Sequence, residues 1–383
     1  MEREQVIKAL IEAAAQTEDG PAFEESVGET LWAHAEREFG DWTSALAAAL
    51  VEAARGKRRS STRRTSGVAD VERKITEAFE HPVYVETLDQ KLYGIPGSEL
   101  SVSDQVPPVD EGTLSEGIGA LHYVGDSDAV YLFSNQGRFF GLNSQLVPTW
   151  DRRDQRRSIR DLLFLEPDEA IRAVVPRRRL VAGRLIHITR GGKGKASDAS
   201  ELGSGLDRSG RQAFKVRDGD DVAAVMGVDR DTTVFCASAK GKGIHFEADE
   251  MRTMGLVAVG VNVIKLDGDD DAVIGAFEGK RVRQIAVISE QGLGKRVDFS
   301  EFRTQGRAGQ GMQLARLNPG DLLAGAVPCN PAEDLAITTS RGRVWRVPAA
   351  QFHMMGRPAK GNPVAELSGD ERVVHLAALP CGG

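Results

Sequence analysis

The sequence predicts an all-β fold, a six-bladed β-propeller, preceded by a small α-helical module. Two observations support this prediction: strand-like apolar runs recur about every fifty residues, and two series of glycines recur in phase with them. A fixed period of this length is typical of repeat architectures, and a strand-rich unit of this size is typical of a propeller blade.

The first glycine series marks the turn of a β-hairpin. Each member follows an apolar run, as in the segments 131–137 and 336–342. Glycine readily adopts the positive φ that tight hairpin turns require. The members are Gly137, Gly192, Gly241, Gly292 and Gly342, and they step by 55, 49, 51 and 50 residues.

The second glycine series follows 18 or 19 residues after the first, and its first place is held by Ser158. Its members are Gly210, Gly260, Gly311 and Gly361. Each unit then ends in an acidic turn and one more apolar run. We therefore predict that each unit is one four-stranded blade. Since a single such sheet cannot bury both of its faces, we expect the blades to pack against one another.

A degenerate copy precedes these units. Residues 83–96 align without gaps on residues 335–348, with Gln90 in place of the hairpin glycine. The sequence therefore predicts six blades, at residues 80–128, 129–180, 181–230, 231–280, 281–330 and 331–383.

The segment before the blades differs in composition. Residues 1–54 are rich in Glu and Ala and are predicted to form two or three short helices; residues 35–46 resemble a helix-turn-helix-like repeat. Residues 55–79 are predicted to be a flexible basic linker, because residues 55–66 contain six basic and no apolar side chains. The domains are thus 1–54, 55–79 and 80–383.

The net charge of −7 is unevenly distributed. Residues 1–54 hold 3 basic and 12 acidic side chains, and residues 67–128 hold 3 and 13. Residues 129–383 hold 37 basic and 31 acidic side chains. The later blades are therefore able to present a basic surface within an acidic protein.

Several classes of protein are disfavoured. No apolar run reaches the length of a membrane span, and the N-terminus does not look like a signal peptide, so we expect a cytoplasmic protein with no membrane partner. Cys236, Cys329 and Cys381 are far apart, which predicts reduced structural thiols and no metal site. No phosphate-binding loop is present, and no cofactor is expected.

The units resemble the blades of the C-terminal β-pinwheel of type II topoisomerase A subunits, from DNA gyrase and topoisomerase IV. In that family a strand–Gly–Arg/Lys hairpin is followed by an Arg-x-x-x-Gly loop. The closest matches are Gly342-Arg343-Val344-Trp345-Arg346 with Arg357-Pro358-Ala359-Lys360-Gly361, and Gly292-Leu293-Gly294-Lys295-Arg296 with Arg307-Ala308-Gly309-Gln310-Gly311. The resemblance covers about 300 residues and implies a DNA-wrapping domain.

The sequence departs from that family in two respects. The gyrase box Gln-Arg-Arg-Gly-Gly-Arg-Gly is matched at four of seven positions by residues 305–311, in the fifth blade instead of the first. This favours weaker, topoisomerase IV-like binding. The family's nucleophilic tyrosine directly follows an arginine, whereas Tyr84, Tyr93, Tyr123 and Tyr131 do not. We therefore expect a stand-alone protein without the breakage-reunion domain, and not an enzyme.

Basic residues on the hairpins and loops are the candidate DNA contacts. Phosphates along bent DNA are able to follow a ring of such cations, and non-specific binding needs neither base readout nor a cofactor. The candidates are Arg138, Lys193, Lys195, Lys240, Lys242, Lys295, Arg296, Arg303, Arg307, Arg341, Arg343, Arg346, Arg357 and Lys360, with Lys57, Arg58, Arg59, Arg63 and Arg64 in the linker.

Two functions of different class follow from this pattern. The first is a non-catalytic protein that binds, bends or wraps double-stranded DNA without sequence preference, as a type II topoisomerase accessory or a nucleoid protein. The alternative is a propeller that serves as a scaffold for protein–protein interaction. The fold alone does not distinguish them.

Overall fold

The computed structural model describes residues 5, 8, 9, 83–87, 91–95, 118–123, 129–147, 158–180, 183–202, 207–229 and 231–379. The predicted helical module and basic linker lie outside the described residues, apart from Gln5, Lys8 and Ala9, which are helical. No helix in the described part of the chain has the length and apolar character needed to cross a membrane.

Short antiparallel strands dominate the described chain, as the apolar runs between turn residues predict. The strands are β1 Val83–Thr87, β2 Leu92–Ile95, β3 Ile118–Tyr123, β4 Ala129–Ser134, β5 Arg138–Asn143, β6 Ile171–Pro176, β7 Arg184–Thr189, β8 Lys193–Asp198, β9 Arg211–Gln212, β10 Val222–Val228, β11 Thr233–Ser238, β12 Lys242–Glu247, β13 Val261–Asn262, β14 Val273–Glu278, β15 Gln284–Ser289, β16 Leu293–Asp298, β17 Met312–Gln313, β18 Leu323–Cys329, β19 Asp334–Thr339, β20 Val344–Pro348, β21 Asn362–Pro363 and β22 Val373–Leu379.

The helices of the same part of the chain are single turns. The α-helices are α1 Ile159–Leu162 and α2 Arg177–Leu180. The 3-10 turns are Ser144–Leu146, Ala199–Leu202, Ala248–Glu250, Phe299–Glu301 and Ala349–Gln351.

Five sheets follow the five glycine-marked units. Their strand orders are β6-β4-β5-β9, β10-β7-β8-β13, β14-β11-β12-β17, β18-β15-β16-β21 and β20-β19-β22. The degenerate copy forms a shorter sheet of order β2-β1-β3. The fold is therefore all-β and propeller-like. It has five blades and not the six predicted, because the degenerate copy contributes only this short sheet of three strands.

The prediction that each unit builds its own four-stranded sheet is wrong. The two-residue third strand of each unit pairs with the sheet of the preceding unit: Gln212 lies opposite Arg138, Asn262 opposite Lys193, and Gln313 opposite Lys242. The exchange satisfies backbone groups that an edge strand would otherwise leave open. It also ties neighbouring sheets together through the backbone.

The edge strand on the opposite side of each sheet contacts the corresponding strands of the neighbouring sheets. The last strands of successive units, β6, β10, β14, β18 and β22, contact one another in chain order, and β22 contacts β3. Apolar clusters fill the space between sheets, as where Phe133 and Phe139 pack with Phe214 of the next unit. At the seam between the last and first sheets, the Thr338 hydroxyl donates to the Gly119 carbonyl at 2.8 Å.

Both glycine series adopt the positive φ that the repeat predicts. Gly241 has φ +77°, and a Cβ there would lie 2.5 Å from the Ala315 carbonyl oxygen of the exchanged segment. Gly260 has φ +93°, and a Cβ there would lie 2.3 Å from the Gly194 carbonyl oxygen of the preceding unit. The glycines therefore permit both the turn and the close approach of neighbouring units.

Replacing Gly260 by alanine should destabilise the fold more than the same change at Gly320. Gly320 also has a positive φ, of +76°, but a Cβ there would meet nothing within 4 Å. Left-handed backbone costs a non-glycine residue about 1–2 kcal/mol, so Gly320→Ala should lose about that amount. Gly260→Ala should lose at least about 3 kcal/mol, because the backbone must also move apart. Urea unfolding of both variants tests this, and equal losses would contradict it.

Candidate nucleic-acid interface

The two-residue strands that pair with the preceding unit are β9, β13, β17 and β21. They lie beside the strands that follow the hairpin glycines, β5, β8, β12 and β16. At four of the five hairpin glycines, the carbonyl accepts a hydrogen bond from the amide three residues after the second glycine of the following unit. The pairs are Gly137 with Ala213 at 2.8 Å, Gly192 with Val263 at 2.9 Å, Gly241 with Leu314 at 2.7 Å and Gly292 with Val364 at 2.9 Å. We call this edge, formed by β9, β13, β17, β21 and the strand starts beside them, the rim.

Basic residues recur in pairs at the rim. One member follows the hairpin glycine, and the other lies two residues beyond the amide that bonds to that glycine. The rim pairs are Arg138 with Lys215, Lys193 with Lys265, and Lys242 with Arg316. Lys215, Lys265 and Arg316 are exposed, and none of them forms an ion pair with a described residue.

Lys215, Lys265 and Arg316 were not among the candidates predicted from sequence. A signal for them is present, since each lies five residues after a member of the second glycine series. The sequence analysis aligned the units on the hairpin and the Arg-x-x-x-Gly loop. It did not predict that this later segment crosses to the neighbouring sheet.

Lys195 and Lys295 occupy the packing between units, which corrects their predicted placement in the interface. Both side chains are buried, at 1% and 0% exposure. Lys195 Nζ donates to the carbonyls of Gly255 and Leu256 at 2.7 and 2.8 Å. Lys295 Nζ donates to those of Gly356 and Arg357 at 2.9 and 2.6 Å. Burial lowers the pKa of each ammonium to about 8.

Three predicted arginines also bind protein groups instead of facing outward. Arg296 is buried and donates to the Phe352 carbonyl at 2.7 Å. Arg307 donates to the carbonyls of Glu250 and Asn262, each at 3.0 Å. Arg346 forms an ion pair with Asp334 at 2.8 Å. Their guanidinium groups are therefore engaged by neighbouring carbonyls and a carboxylate of the protein itself.

The acidic turns bind the hairpin turns. The amides of Gly191, Lys240 and Gln291 donate to Asp220, Asp271 and Asp321 at 2.7, 2.9 and 3.2 Å. These aspartates lie in the acidic turns that precede β10, β14 and β18. Each acidic turn therefore lies against the hairpin of its own unit.

The same turns take up several hairpin cations. In the first and last glycine-marked units the turn acid is a buried glutamate: Glu169 binds Arg138 at 2.7 Å, and Glu371 binds Arg343. Lys240 binds Asp270, which raises its pKa. Arg341 binds Asp370 at 2.9 Å. These cations are largely neutralised locally and have less to offer a phosphate.

Arg357 also contacts its own protein. Its guanidinium lies 3.5 Å from Glu301 and over the Phe302 ring at 5.6 Å. It lines an open cavity of about 490 Å³ together with Arg303, Met312 and Gln313. The acidic residue of this cavity, Glu301, is already paired with Arg357.

The remaining predicted cations are accessible. Arg303 and Lys360 are exposed, and Lys193 and Lys242 are half-buried. Lys193 donates to Asn262, and Lys360 donates to Asn318 at 2.8 Å, so both are held by neutral amides that leave their charge uncompensated. The predicted linker contacts Lys57, Arg58, Arg59, Arg63 and Arg64 lie outside the described residues.

The cysteines of the described part are buried and free of disulfides. Burial raises the pKa of the Cys236 thiol and raises that of Cys329 to about 12, so both are protonated at neutral pH. Cys381 lies outside the described residues. Within the described residues no three His, Cys, Asp or Glu side chains are placed to hold a metal ion.

The family model of the DNA gyrase C-terminal domain, a β-propeller, matches four consecutive repeats, at residues 185–229, 232–278, 283–330 and 333–380. These four repeats belong to the DNA gyrase C-terminal domain family. The match includes two of the rim pairs, Lys193 with Lys265 and Lys242 with Arg316. The pair Arg138 with Lys215 joins the first matched repeat to the unit before it.

Curated relatives show the same similarity. The chain is 33% identical to the DNA gyrase A protein of Salmonella typhimurium over 186 residues, 48% of this chain and 21% of that protein. It is 26% identical to the DNA gyrase A protein of Staphylococcus epidermidis over 249 residues, 64% of this chain and 27% of that protein. The similarity thus spans only about a fifth to a quarter of the length of these relatives.

Solved structures confirm the fold. A DNA gyrase A C-terminal domain superposes with a TM-score of 0.66 at 20% identity, covering 78% of this chain and 99% of that one. The C-terminal domain of a DNA topoisomerase IV superposes with a TM-score of 0.62 at 17% identity, covering 78% and 93%. The predicted resemblance to these C-terminal domains is therefore confirmed.

The stability that Lys295 confers should depend on pH. Its folded pKa of about 8 lies below its ordinary value of 10.5, so between these values the unfolded chain binds the proton more strongly than the folded protein does. The free energy of unfolding of the wild type relative to Lys295→Met should therefore rise as pH increases from about 8 to about 10.5. Urea unfolding at stepped pH measures this difference.

The exposed Lys360 provides the control for this experiment. Lys360→Met should give a difference from the wild type that changes little with pH across the same window. A Lys295→Met difference that stayed constant from pH 8 to 10.5 would contradict the assignment of Lys295 to the packing between units.

Proposed function

We propose that this protein is a non-catalytic protein that binds and bends double-stranded DNA without sequence preference along its rim. The observation that carries the proposal is the succession of three rim pairs at equivalent positions of neighbouring sheets. Each pair combines a hairpin cation with an exposed cation from the next unit. Lys193 and Lys242 form no ion pair with a described residue, whereas Arg138, like Lys240, Arg341 and Arg343, is paired with an acid of its own unit. The first rim pair therefore offers a phosphate chiefly Lys215.

The geometry of the rim suits a phosphate backbone. Non-specific DNA binding depends on neutralising several phosphates and releasing their counterions, which requires no base-specific contact. The rim pairs repeat with the sheets, and the sheets are rotated about a common centre because their inner strands contact one another. A duplex that follows the pairs must therefore bend.

The family supports the same proposal. The four matched repeats are those of a DNA gyrase C-terminal domain. The name DNA gyrase gives DNA as the substrate of that enzyme. We propose that the protein acts together with a type II topoisomerase or as a nucleoid protein in the cytoplasm.

The alternative is a scaffold that binds proteins only. Protein binding alone does not require exposed cations at equivalent rim positions, so the rim pairs favour DNA as the partner. A scaffold would bind no DNA even at low salt, which makes the two functions separable in one assay.

The triple variant Lys215→Gln, Lys265→Gln and Arg316→Gln tests the proposal. The slope of log K against log salt should become shallower by up to about 2.7, because each phosphate contact contributes about 0.9. Affinity for duplexes of unrelated sequence should fall alike. Fluorescence anisotropy with labelled duplexes over a salt series measures both quantities.

A charge-matched control is available in the turn between β14 and β15. Lys280, Arg281 and Arg283 are exposed there, and Lys280 is paired with Asp229 at 3.2 Å. Changing all three to glutamine removes the same charge away from the rim and should leave the slope nearly unchanged. Equal effects of the two triple variants would reduce the interaction to net charge and refute a rim interface.

A further inference from the structure

We infer that the DNA path along the rim has an end, at the sheet formed by β18, β15, β16 and β21, where Leu293 and Glu366 replace the two cations of a rim pair. The inference rests on the proposed function. It specifies the partner as a duplex bent across an arc of three sheets and released at the fourth, instead of one wrapped around the whole ring.

The backbone at this fourth position is the same as at the three rim pairs. Gly292 has φ +80°, and its carbonyl accepts from the Val364 amide at 2.9 Å. Leu293 lies opposite Pro363, as Lys193 lies opposite Asn262. The rim is therefore continuous in shape, and only the side chains change.

The charge of this position is reversed. Leu293 offers no donor to a phosphate, and Glu366 is exposed and would repel one. The turns beside the same hairpin offer no compensating free cation, because Arg372, Arg341 and Arg343 there are paired with Glu290, Asp370 and Glu371. A phosphate backbone that reaches this rim position thus meets the carboxylate of Glu366 without a cation beside it.

The last cation before this change is Lys360. The Arg316 amide donates to the Ala359 carbonyl at 3.3 Å, which places the loop that carries Lys360 next to the third rim pair. Lys360 is exposed and held by Asn318. The basic arc thus runs from Lys215 to Arg316 and Lys360 and then stops.

The stiffness of DNA makes this local change decisive. Duplex DNA has a persistence length of about 150 base pairs, so it follows a small ring only while contacts offset the cost of bending. Where two contacts are lost and a carboxylate is added, the duplex straightens and leaves the surface. The length of bound DNA is therefore set by the number of consecutive rim pairs.

The double variant Leu293→Lys and Glu366→Lys tests this inference by creating a fourth rim pair. The slope of log K against log salt should steepen by about 1.8, for two added phosphate contacts. The shortest duplex that binds with full affinity should become longer, because the arc covers one more sheet. Both changes are measured by anisotropy with labelled duplexes of increasing length.

The control places the same added charge away from the rim. Asp229→Lys with Ala332→Lys adds three positive charges in the turns that join β10 to β11 and β18 to β19, and both positions are exposed. This control should raise affinity only slightly and should leave the minimal duplex length unchanged. If it matched the rim variant in slope and length, the arc would be refuted.

The outcomes separate this inference from the proposed function. If the wild type binds no DNA at low salt, the proposed function fails. If the wild type binds and the triple glutamine variant loses slope, but Leu293→Lys with Glu366→Lys leaves both slope and minimal length unchanged, the rim binds DNA and the arc is wrong. Circular dichroism of each variant confirms that the fold is retained.

Discussion

The hydrogen bond between a hairpin glycine carbonyl and an amide of the next unit, present at four of the five hairpins, is the interaction on which the structure depends. It fixes the two-residue strand of one unit onto the sheet of its predecessor, so four of the sheets are completed by a neighbouring unit. Because Gly241 and its counterparts approach the exchanged backbone so closely, any side chain there would separate the units. The curvature of the rim and the spacing of its cations follow from this repeated contact.

The same arrangement determines which charges face outward. Each acidic turn is held against its own hairpin by amide hydrogen bonds, and it binds cations that lie close by, such as Lys240 and Arg343. Lysines whose side chains extend between units, such as Lys295, instead support loop carbonyls. The cations with no carboxylate partner among the described residues include Lys215, Lys265 and Arg316 on the exchanged segments and Lys193 and Lys242 beside them.

A frame of this kind suits a partner that is long, stiff and uniformly charged. Equivalent cations on successive sheets suit phosphates spaced along one duplex, without any need for base recognition. Removing one pair of cations does not disturb the frame, as the regular backbone around Gly292 shows. Evolution is therefore able to adjust the length of the contact by changing surface side chains alone.

The sequence by itself determined the period, the positions of the hairpins and the strand content, because positive φ at Gly192 or Gly311 and alternation of apolar runs are local requirements. It also carried the family resemblance. Only the tertiary structure decided that the third strand of each unit crosses to the preceding sheet, since two-residue strands leave no hydrophobic pattern. That exchange buried Lys195 and Lys295 and brought Lys215, Lys265 and Arg316 to the rim. Which cations contact DNA stays a prediction. The sequence could not tell the buried lysines from the accessible ones, because the accessibility of a cation depends on neighbours distant in sequence.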